Sequence, residues 1–264
     1  MRSGVPAIQS TTRVLAMLEA VIADGGRSSV SAVARQTGVP VATAHRQVAT
    51  LVAEGYLART TRGAHIAGPR LLTLLHQVDE KQLVVTAAAP FIADLAAELG
   101  TIAQLGTLEN DMVTYRLKAG SGANALFTKV GMQLEAYCSA IGKVLLASLS
   151  DAEQQAYLAT GPFPALTDRT LTAPNDLARE LEKVRQQGFA TDDAEIARGL
   201  ICMAVPIRGV RGQVVAAISI SRSSACWQDR ERDRYSQALL RAAGQIEQST
   251  FGGMGSLAGQ ASGS

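Results

Sequence analysis

The amino-acid sequence predicts an α+β protein in which an N-terminal winged helix-turn-helix domain is joined by a helical linker to a second α/β domain. Three observations predict this class. Apolar side chains recur at helical spacing over residues 38–57, after a shorter helical pattern and a glycine. Short β-type runs and amphipathic helical patterns alternate beyond residue 101. Arginines are concentrated in the first quarter of the chain.

The distribution of charge favours a nucleic-acid-binding module at the N-terminus. Residues 1–70 contain eight arginines, no lysine and three acidic residues, which gives a formal charge of +5. Since the net charge is +2, residues 71–264 together carry −3. A basic module beside an acidic remainder is typical of a DNA-binding domain attached to a separate domain. A basic face that is merely solvated is the alternative.

Composition predicts a folded cytoplasmic protein without a membrane partner. Hydrophobic residues make up 47% of the chain, which excludes disorder for most of it. No apolar run reaches the roughly 18 residues of a membrane span, and the N-terminus has no apolar signal core. The three cysteines, Cys138, Cys202 and Cys226, lack CxxC spacing, which argues against a disulfide framework or a thiolate metal site.

The first domain, residues 1–70, has the element order of a winged helix-turn-helix. The predicted elements are a helix over 8–23, a short helix over 31–37, a turn at Gly38, a longer helix from there to Leu57, and a hairpin over 58–69. Ser29 or Ser31 can cap the short helix, because a serine hydroxyl accepts hydrogen bonds from the free N–H groups of a first turn.

The longer helix has an apolar face and a polar face. Pro40 suits its first position and Gly55 its end. Its predicted apolar face consists of Val41, Ala44, Val48, Leu51 and Val52. The candidate DNA-contacting residues on the opposite face are Thr43, Arg46, Gln47 and Thr50, with Arg59 and Arg62 of the hairpin as candidate phosphate contacts. His45 falls at the flank, where packing and DNA contact are equally open.

The rest of the chain predicts a helical linker over 71–100, a second domain over 101–250 and a disordered tail over 251–264. The linker has two helical pieces, roughly 70–79 and 83–99, with Pro90 as an interruption. In the second domain the patterns predict a hairpin over 101–119, a loop and strand up to 134, a helix capped by Ser139, helices over 151–159 and 175–188, apolar strands over 201–207 and 213–221, and a final helix after Trp227.

Four runs resemble the IclR family of bacterial transcriptional regulators. They are GVPVATAHRQVATLVAEGYLART from Gly38, SAIGK from Ser139, DDAEIARGLICMAVPI from Asp192 and AAISIS ending at Ser221, in the family's order and spacing. The first run departs from the family pattern at Val41 and Ala42, where a basic and a hydroxyl residue are usual. This departure leaves Thr43 and Arg46 as the best candidates for DNA contacts.

The resemblance implies a GAF-like effector-binding domain and a homo-oligomer, either a dimer or a dimer of dimers, that binds double-stranded operator DNA. It also implies that the matched positions form a pocket for a small carboxylate effector such as glyoxylate or pyruvate. The predicted ligand-binding residues are Ala140, Ile141, Asp192, Leu200, Cys202, Ser219 and Ser221.

The chemistry of these residues fits an anion site. Ala140 and Ile141 open a helix, where free N–H groups and the helix dipole hold a carboxylate. Ser219 and Ser221 are two apart on an apolar strand and therefore share one face. Cys202 can join them, Asp192 offers an acceptor for a ligand hydroxyl, and Leu200 supplies an apolar wall.

Each of these residues also has a structural explanation. Cys202 can be an ordinary core residue, the two serines can bond backbone groups, and Asp192 can cap a turn. Lys143 of the SAIGK run is interpreted as a structural or surface lysine.

The sequence predicts no catalytic activity, no cofactor and no metal site. All three histidines, at positions 45, 65 and 76, precede the second domain, which therefore lacks the imidazole of a Ser/His/Asp triad or a histidine metal site. GxSxG and phosphate-loop patterns are missing. The prediction is a ligand-responsive transcriptional regulator, acting as a repressor on a palindromic operator and controlled by a small organic acid. The alternatives are a GAF-like thiol reductase and a ligand-independent DNA-binding protein.

Overall fold

The computed structural model describes residues 8–252, which form two compact units that meet in the sequence at residues 79 and 80. Phe251 is the last residue of the final helix and packs against a hydrophobic core. The predicted tail of 251–264 therefore begins inside that helix, because the apolar face of the helix continues to Phe251. Residues 253–264 of the predicted tail lie outside the described residues.

The first unit is three helices, a hairpin and a fourth short helix. Its elements are α1 (Gln9–Asp24), α2 (Val30–Thr37), α3 (Val41–Ala53), β1 (Leu57–Arg59), β2 (His65–Ala67) and α4 (Pro69–Leu75). Their core consists of Met17, Leu18, Val21, Val30, Val33, Ala34, Val39, Ala44, Val48, Leu51 and Leu57. The order of these elements is that of the predicted winged helix-turn-helix, but α3 is shorter than the predicted helix from Gly38 to Leu57, because Gly55 lies in a left-handed turn and Leu57 begins β1.

Local chemistry sets the turn between α2 and α3. Ser29 caps α2, and its hydroxyl accepts a hydrogen bond from the Ala32 N–H at 3.3 Å. Gly38 ends α2 at φ 67°, a left-handed conformation that favours glycine. Pro40 lies one residue before α3 rather than at its first helical position, and its ring fixes the extended approach of the chain to the helix.

The second unit is one antiparallel sheet with helices on both faces. Its elements are α5 (Glu80–Leu99), β3 (Ile102–Glu109), β4 (Met112–Ala119), β5 (Gln133–Glu135), α6 (Ala140–Ala147), α7 (Asp151–Leu158), α8 (Pro174–Gln187), β6 (Ala190–Asp193), β7 (Leu200–Arg208), β8 (Val214–Ser223) and α9 (Arg232–Phe251). The strand order is β5-β4-β3-β8-β7-β6. β3 is the first strand of this unit in the sequence and β8 is the last, and the two pair at the centre of the sheet.

Alternation along β8 assigns its side chains to two different cores. Ala216, Ile218 and Ile220 belong to the core formed with α5 and α9. Ala217 belongs to the core formed with α6 and α8. Because successive side chains of a strand point to opposite faces, Ser219 and Ser221 share the face of Ala217, toward α6.

The helix α5 runs without a break through Pro90, which differs from the expected interruption. Pro90 lies on the exposed side, where water can satisfy the carbonyl that loses its N–H partner, while Val84, Ala88 and Ile92 pack in the core. The break in the predicted linker lies instead at 76–79, so α4 belongs to the first unit and α5 to the second. By length and composition alone, α5 could cross a membrane. This is weak evidence for a membrane span, because a helix with one face in a protein core meets the same two conditions.

The segment 120–132 is a loop, and the predicted strand there shortens to β5 at its far end. The Lys118 ammonium group donates hydrogen bonds to the carbonyl oxygens of Leu126, at 3.1 Å, and of Thr128. Gln104 Nε2 donates to Thr128 Oγ1 at 2.7 Å. At Leu126 and Thr128 these side-chain hydrogen bonds take the place of backbone pairing with a neighbouring strand. They hold the segment over the face of the sheet that α6 also covers.

Candidate DNA-binding face and buried polar cavity

The helix α3 exposes a compact set of polar side chains, which we call the recognition face. It consists of Thr43, His45, Arg46, Gln47 and Thr50. Thr43, His45, Arg46 and Thr50 are exposed, and Gln47 is half-buried. On the opposite side Ala44, Val48 and Leu51 are buried, but Val41 is exposed, contrary to the predicted apolar face. Val41 is the first residue of α3, and the two residues that follow it are also exposed.

Local contacts hold several members of the recognition face. His45 Nε2 lies 3.2 Å from Ser31 Oγ, which ties α3 to α2. Thr50 Oγ1 donates to the Arg46 carbonyl at 3.0 Å. The amide oxygen of Gln47 is buried without a hydrogen-bond partner. Arg59 and Arg62 of the hairpin are exposed. The predicted DNA-contacting residues thus lie on one surface helix and the adjacent hairpin.

The sheet register brings four predicted pocket residues together. Asp192 on β6 pairs with Cys202 on β7, and Cys202 pairs with Ser221 on β8. Ser219 pairs on its other side with Gln104 of β3. Their side chains share the face toward α6, so the polar groups of four neighbouring strands meet there. Gln104 was not among the predicted residues, because a single glutamine in a β-type run has no distinctive spacing.

The start of α6 closes this face. Ser139 caps the helix, and its hydroxyl accepts a hydrogen bond from the Gly142 N–H at 3.0 Å. A Cβ at Gly142 would lie 2.1 Å from the Ala136 carbonyl oxygen, so only glycine permits this close approach. The next free N–H groups of the first turn belong to Ala140 and Ile141, which line the space in front of the sheet.

The resulting space, which we call the polar cavity, includes all seven predicted ligand-binding residues. Its lining consists of Gln104, Tyr115, Leu126, Phe127, Thr128, Ser139, Ala140, Ile141, Asp192, Ile196, Leu200, Cys202, Ser219 and Ser221. The space between the atoms of this lining, including its opening to solvent, is about 290 Å³. The cavity therefore suits a ligand of few atoms, and a larger one requires the 120–132 segment to move.

A hydrogen-bonded chain of side chains crosses the cavity floor. Cys202 Sγ lies 3.2 Å from Ser221 Oγ, and Ser221 donates to Gln104 Oε1 at 3.3 Å. Gln104 in turn donates to Thr128. A ligand that bonds to Ser221 must exchange one of these contacts, so the chain connects the cavity floor with the segment that covers it.

Asp192 is the one acidic side chain in the lining of the cavity, and it is fully buried. Its Oδ1 accepts hydrogen bonds from the N–H groups of Glu195, at 2.7 Å, and Ile196, at 3.4 Å. Its Oδ2 is buried and has no hydrogen-bond partner. Burial raises the pKa of Asp192 to about 7, and the two backbone hydrogen bonds only partly oppose that shift.

Lys143 is buried and structural, so the surface alternative for this lysine is wrong. Its ammonium group pairs with the Glu195 carboxylate, donates to the Thr191 carbonyl at 3.1 Å and lies 3.8 Å from Glu180. The four-carbon side chain crosses the core beneath α6 to reach these groups. The pair fixes the turn after Asp192, because Glu195 belongs to that turn.

The two buried thiols are unsuited to thiolate chemistry. Burial raises the pKa of Cys138 to about 12 and that of Cys202 well above its ordinary value. Cys226 is exposed and does not line the polar cavity. Among residues 8–252, no group of three or more His, Cys, Asp and Glu side chains could hold a metal ion. These observations leave hydrogen bonding as the chemistry of the cavity.

Other concavities are less enclosed. One of them, about 650 Å³ and open to solvent, lies beside the core formed with α6 and α8 and is lined by Arg185 and Arg208. Both guanidinium groups already donate to backbone carbonyls, of Ala147 and Gly212 respectively. The two guanidinium groups therefore already form hydrogen bonds within the protein.

A winged helix-turn-helix joined to a domain with an enclosed polar cavity defines a ligand-binding transcriptional regulator. The family model described as bacterial transcriptional regulator IclR C-terminal matches residues 76–248, and the IclR helix-turn-helix domain matches residues 10–61. The chain belongs to the IclR family of transcriptional regulators, which are DNA-binding proteins and not enzymes. The predicted fold class is confirmed.

Relatives of known name support this assignment. The Pca regulon regulatory protein of Pseudomonas putida is 31% identical over 80% of this chain and 73% of that protein. The transcriptional repressor IclR of Escherichia coli (strain K12) is 26% identical over 94% of this chain and 91% of its own length. A crystal structure of an IclR homologue complexed with 4-hydroxybenzoate, from Microbacterium hydrocarbonoxydans, has a TM-score of 0.60 and 26% identity, covering 92% and 99% of the two chains.

Proposed function

We propose that this regulator is a repressor that binds a palindromic operator as a homo-oligomer and responds to a small organic acid in the polar cavity. The proposed organisation is a DNA-binding domain over 1–70, a helical linker over 71–100 and an effector-binding domain over 101–250. Because the operator is genomic DNA, the protein acts in the cytoplasm. The observation that carries the effector part is the buried Oδ2 of Asp192 on β6, an unpaired polar atom in the cavity that the start of α6 also lines.

An organic acid suits the donors and the size of the cavity. The N–H groups at the start of α6 and the hydroxyls of Ser219 and Ser221 can hold a carboxylate without a buried arginine. The free space favours acids as small as glyoxylate or pyruvate. A homologue in the family is complexed with 4-hydroxybenzoate, so aromatic acids form the larger class to compare.

DNA recognition is proposed to use the recognition face for base edges and Arg59 and Arg62 for phosphates. Since the face offers only one arginine, half-site spacing in a dimer contributes much of the specificity. The effector can change the DNA-bound population only if it binds one arrangement of the dimer more tightly. The helices α4 and α5 are the proposed lever, because the chain passes through them from one unit to the other.

The DNA-binding proposal is tested by selecting full-length protein against random-sequence DNA. We expect an inverted repeat with half-sites about one helical turn, roughly 10 base pairs, apart or a multiple of it. Enrichment of a single unrepeated half-site would contradict a dimer on a palindrome.

The effector proposal is tested by thermal unfolding of the full chain with glyoxylate, pyruvate and 4-hydroxybenzoate. We expect at least one acid to raise the Tm of the wild type and to have no effect on Ser219→Ala/Ser221→Ala. Ser249→Ala, an exposed serine on α9, is the matched control and keeps the shift. An equal shift in the double variant would place the effector outside the polar cavity.

A further inference from the structure

The two oxygens of Asp192 have different surroundings. Oδ1 accepts two backbone hydrogen bonds from the turn that follows β6. Oδ2 is buried without a hydrogen-bond partner, and its nearest polar neighbour in the cavity lining is the Cys202 thiol, which already lies 3.2 Å from Ser221 Oγ. A proton on this carboxyl group therefore resides on Oδ2, since Oδ1 already accepts from two donors. In that form Asp192 offers the cavity an O–H donor.

No cation in the described surroundings of Asp192 is free to neutralise it. The groups that face it from the packed elements are Lys143 on α6, Glu195 in the turn after β6, Cys202 on β7, Cys138 before α6 and Tyr115 on β4. Lys143 already pairs with Glu195 and lies near Glu180. The two thiols and the phenol are neutral, because burial raises the pKa of each.

A carboxylate bound at the start of α6 would place a second anion beside Asp192. Two ionised carboxylates in one enclosed site repel each other, and the usual result is that one of them is protonated. The N–H groups of Ala140 and Ile141 can donate hydrogen bonds to only one of these two carboxylates. The energetically favourable arrangement is one negative charge on the ligand and one proton on Asp192.

We infer that Asp192 binds the effector carboxylate as a neutral acid, donating a hydrogen bond from Oδ2, so that one proton enters the cavity with each effector molecule. This inference rests on the proposed function and assigns Asp192 the role of a specificity-determining donor. It selects anionic ligands with an acceptor oxygen and disfavours ligands that offer only a hydroxyl donor. The proton comes from solvent, and no covalent bond changes.

The linkage has a definite sign. The pKa of Asp192 is about 7 without ligand, and a bound carboxylate raises that pKa further. Binding therefore takes up little proton at pH 6, where Asp192 is already mostly protonated, and close to one proton at pH 8. Above pH 7 the Kd should rise with pH, by about ten-fold per pH unit at the limit.

The test measures pyruvate, glyoxylate and 4-hydroxybenzoate binding to the full chain by calorimetry from pH 6 to pH 9, in buffers of different ionisation enthalpy. We expect proton uptake near pH 8 and a rising Kd in the wild type. In Asp192→Asn the amide keeps an acceptor for the two backbone N–H groups and a donor at the Oδ2 position. This variant should bind with a Kd within about three-fold of the wild-type value at pH 6, with no pH slope.

Asp193→Asn is the matched control, since its exposed carboxylate pairs with Arg169 outside the cavity and its loss should leave the slope intact. Loss of binding in Asp192→Asn would show that an ionised acceptor is needed and would overturn the inference. Wild-type binding with a Kd that does not change with pH would overturn the inference but leave the proposed function standing. Absence of binding by all three acids at pH 6 would overturn the proposed function and the inference with it.

A ligand-free measurement decides the same point. We expect the carboxyl carbon resonance of Asp192, identified by its loss in Asp192→Asn, to titrate near pH 7. Because the folded pKa is raised, Asp192 contributes stability at low pH that is lost as pH rises from about 4 to about 7. The Tm of Asp192→Asn should therefore exceed that of the wild type at pH 8 and approach it at pH 5. Titration below pH 5 would overturn the inference.

Discussion

The recognition face and the polar cavity use similar side chains in opposite surroundings. Thr43, His45, Arg46 and Thr50 are exposed, so water can satisfy the polar atoms that local contacts leave free when DNA is absent. Asp192, Ser219 and Ser221 are buried, so each must find a protein or ligand partner. Substitutions in the recognition face should therefore leave the fold intact. Substitutions in the polar cavity should change both ligand binding and the stability of the second unit.

The largest expected effect comes from removing the cation beneath the cavity. Lys143→Met leaves the Glu195 carboxylate buried without a counter-ion, which we expect to cost about 3–5 kcal/mol of the free energy of unfolding at pH 7. Denaturant unfolding measures the loss. The deficit should shrink as pH falls, because the pKa of Glu195 is already raised and protonation removes the unpaired charge.

Lys183→Met is the matched control for this prediction. Lys183 is exposed and lies 3.7 Å from Glu180 on the same helix, so its loss should cost less than about 0.5 kcal/mol. Equal losses in the two lysine variants would break the comparison, since burial would then make no difference to the value of an ion pair.

The next largest effect concerns the recognition face. Arg46→Ala should weaken operator binding by more than about ten-fold, or about 1.4 kcal/mol, because it removes the only guanidinium of α3. The Tm should stay unchanged, since Arg46 is exposed. Fluorescence anisotropy with the selected operator measures the affinity, and Arg179→Ala on the exposed side of α8 is the control.

Salt dependence sharpens the same prediction. If Arg46, Arg59 and Arg62 contact phosphates, the logarithm of the affinity falls linearly with the logarithm of the salt concentration. Each arginine removed should lower the slope by about one. A slope near zero in the wild type would contradict the interpretation of the basic N-terminal quarter as a DNA-binding surface.

The smallest effect tests the chain of hydrogen bonds on the cavity floor. Gln104→Leu keeps the volume but removes the bonds to Ser221 and Thr128, and we expect it to cost about 1 kcal/mol of stability. Amide hydrogen exchange in the 120–132 segment should accelerate, because Thr128 loses the hydrogen bond between its side chain and the sheet and keeps only the bond from Lys118 to its carbonyl. Gln133→Leu, which removes a bond to Thr114 at 3.1 Å on the outer strand, is the control. Unchanged exchange in Gln104→Leu would show that Lys118 alone holds the segment.

Much of this architecture is present in local patterns. Helical spacing, Gly38 and a serine cap predict α2 and α3, because those signals act within one or two turns of the chain. The alternation of Ser219 and Ser221 on an apolar strand predicts that both face one side, and the structure places both in the polar cavity. Pro90 shows the limit of such signals, since core contacts on one side of α5 outweigh the cost of one lost backbone hydrogen bond.

The sequence by itself determined most of the helices and strands, which end of the chain is basic, and which residue types can bind an acid. Only the tertiary structure decided that Gln104 and Thr128 complete the cavity, that Lys143 is used by Glu195, and that Asp192 has no counter-ion. The physical reason is that hydrogen bonds and ion pairs between residues far apart in the chain depend on strand register and helix packing. Spacing along the sequence carries no record of those contacts, so the charge state of Asp192 follows from the fold.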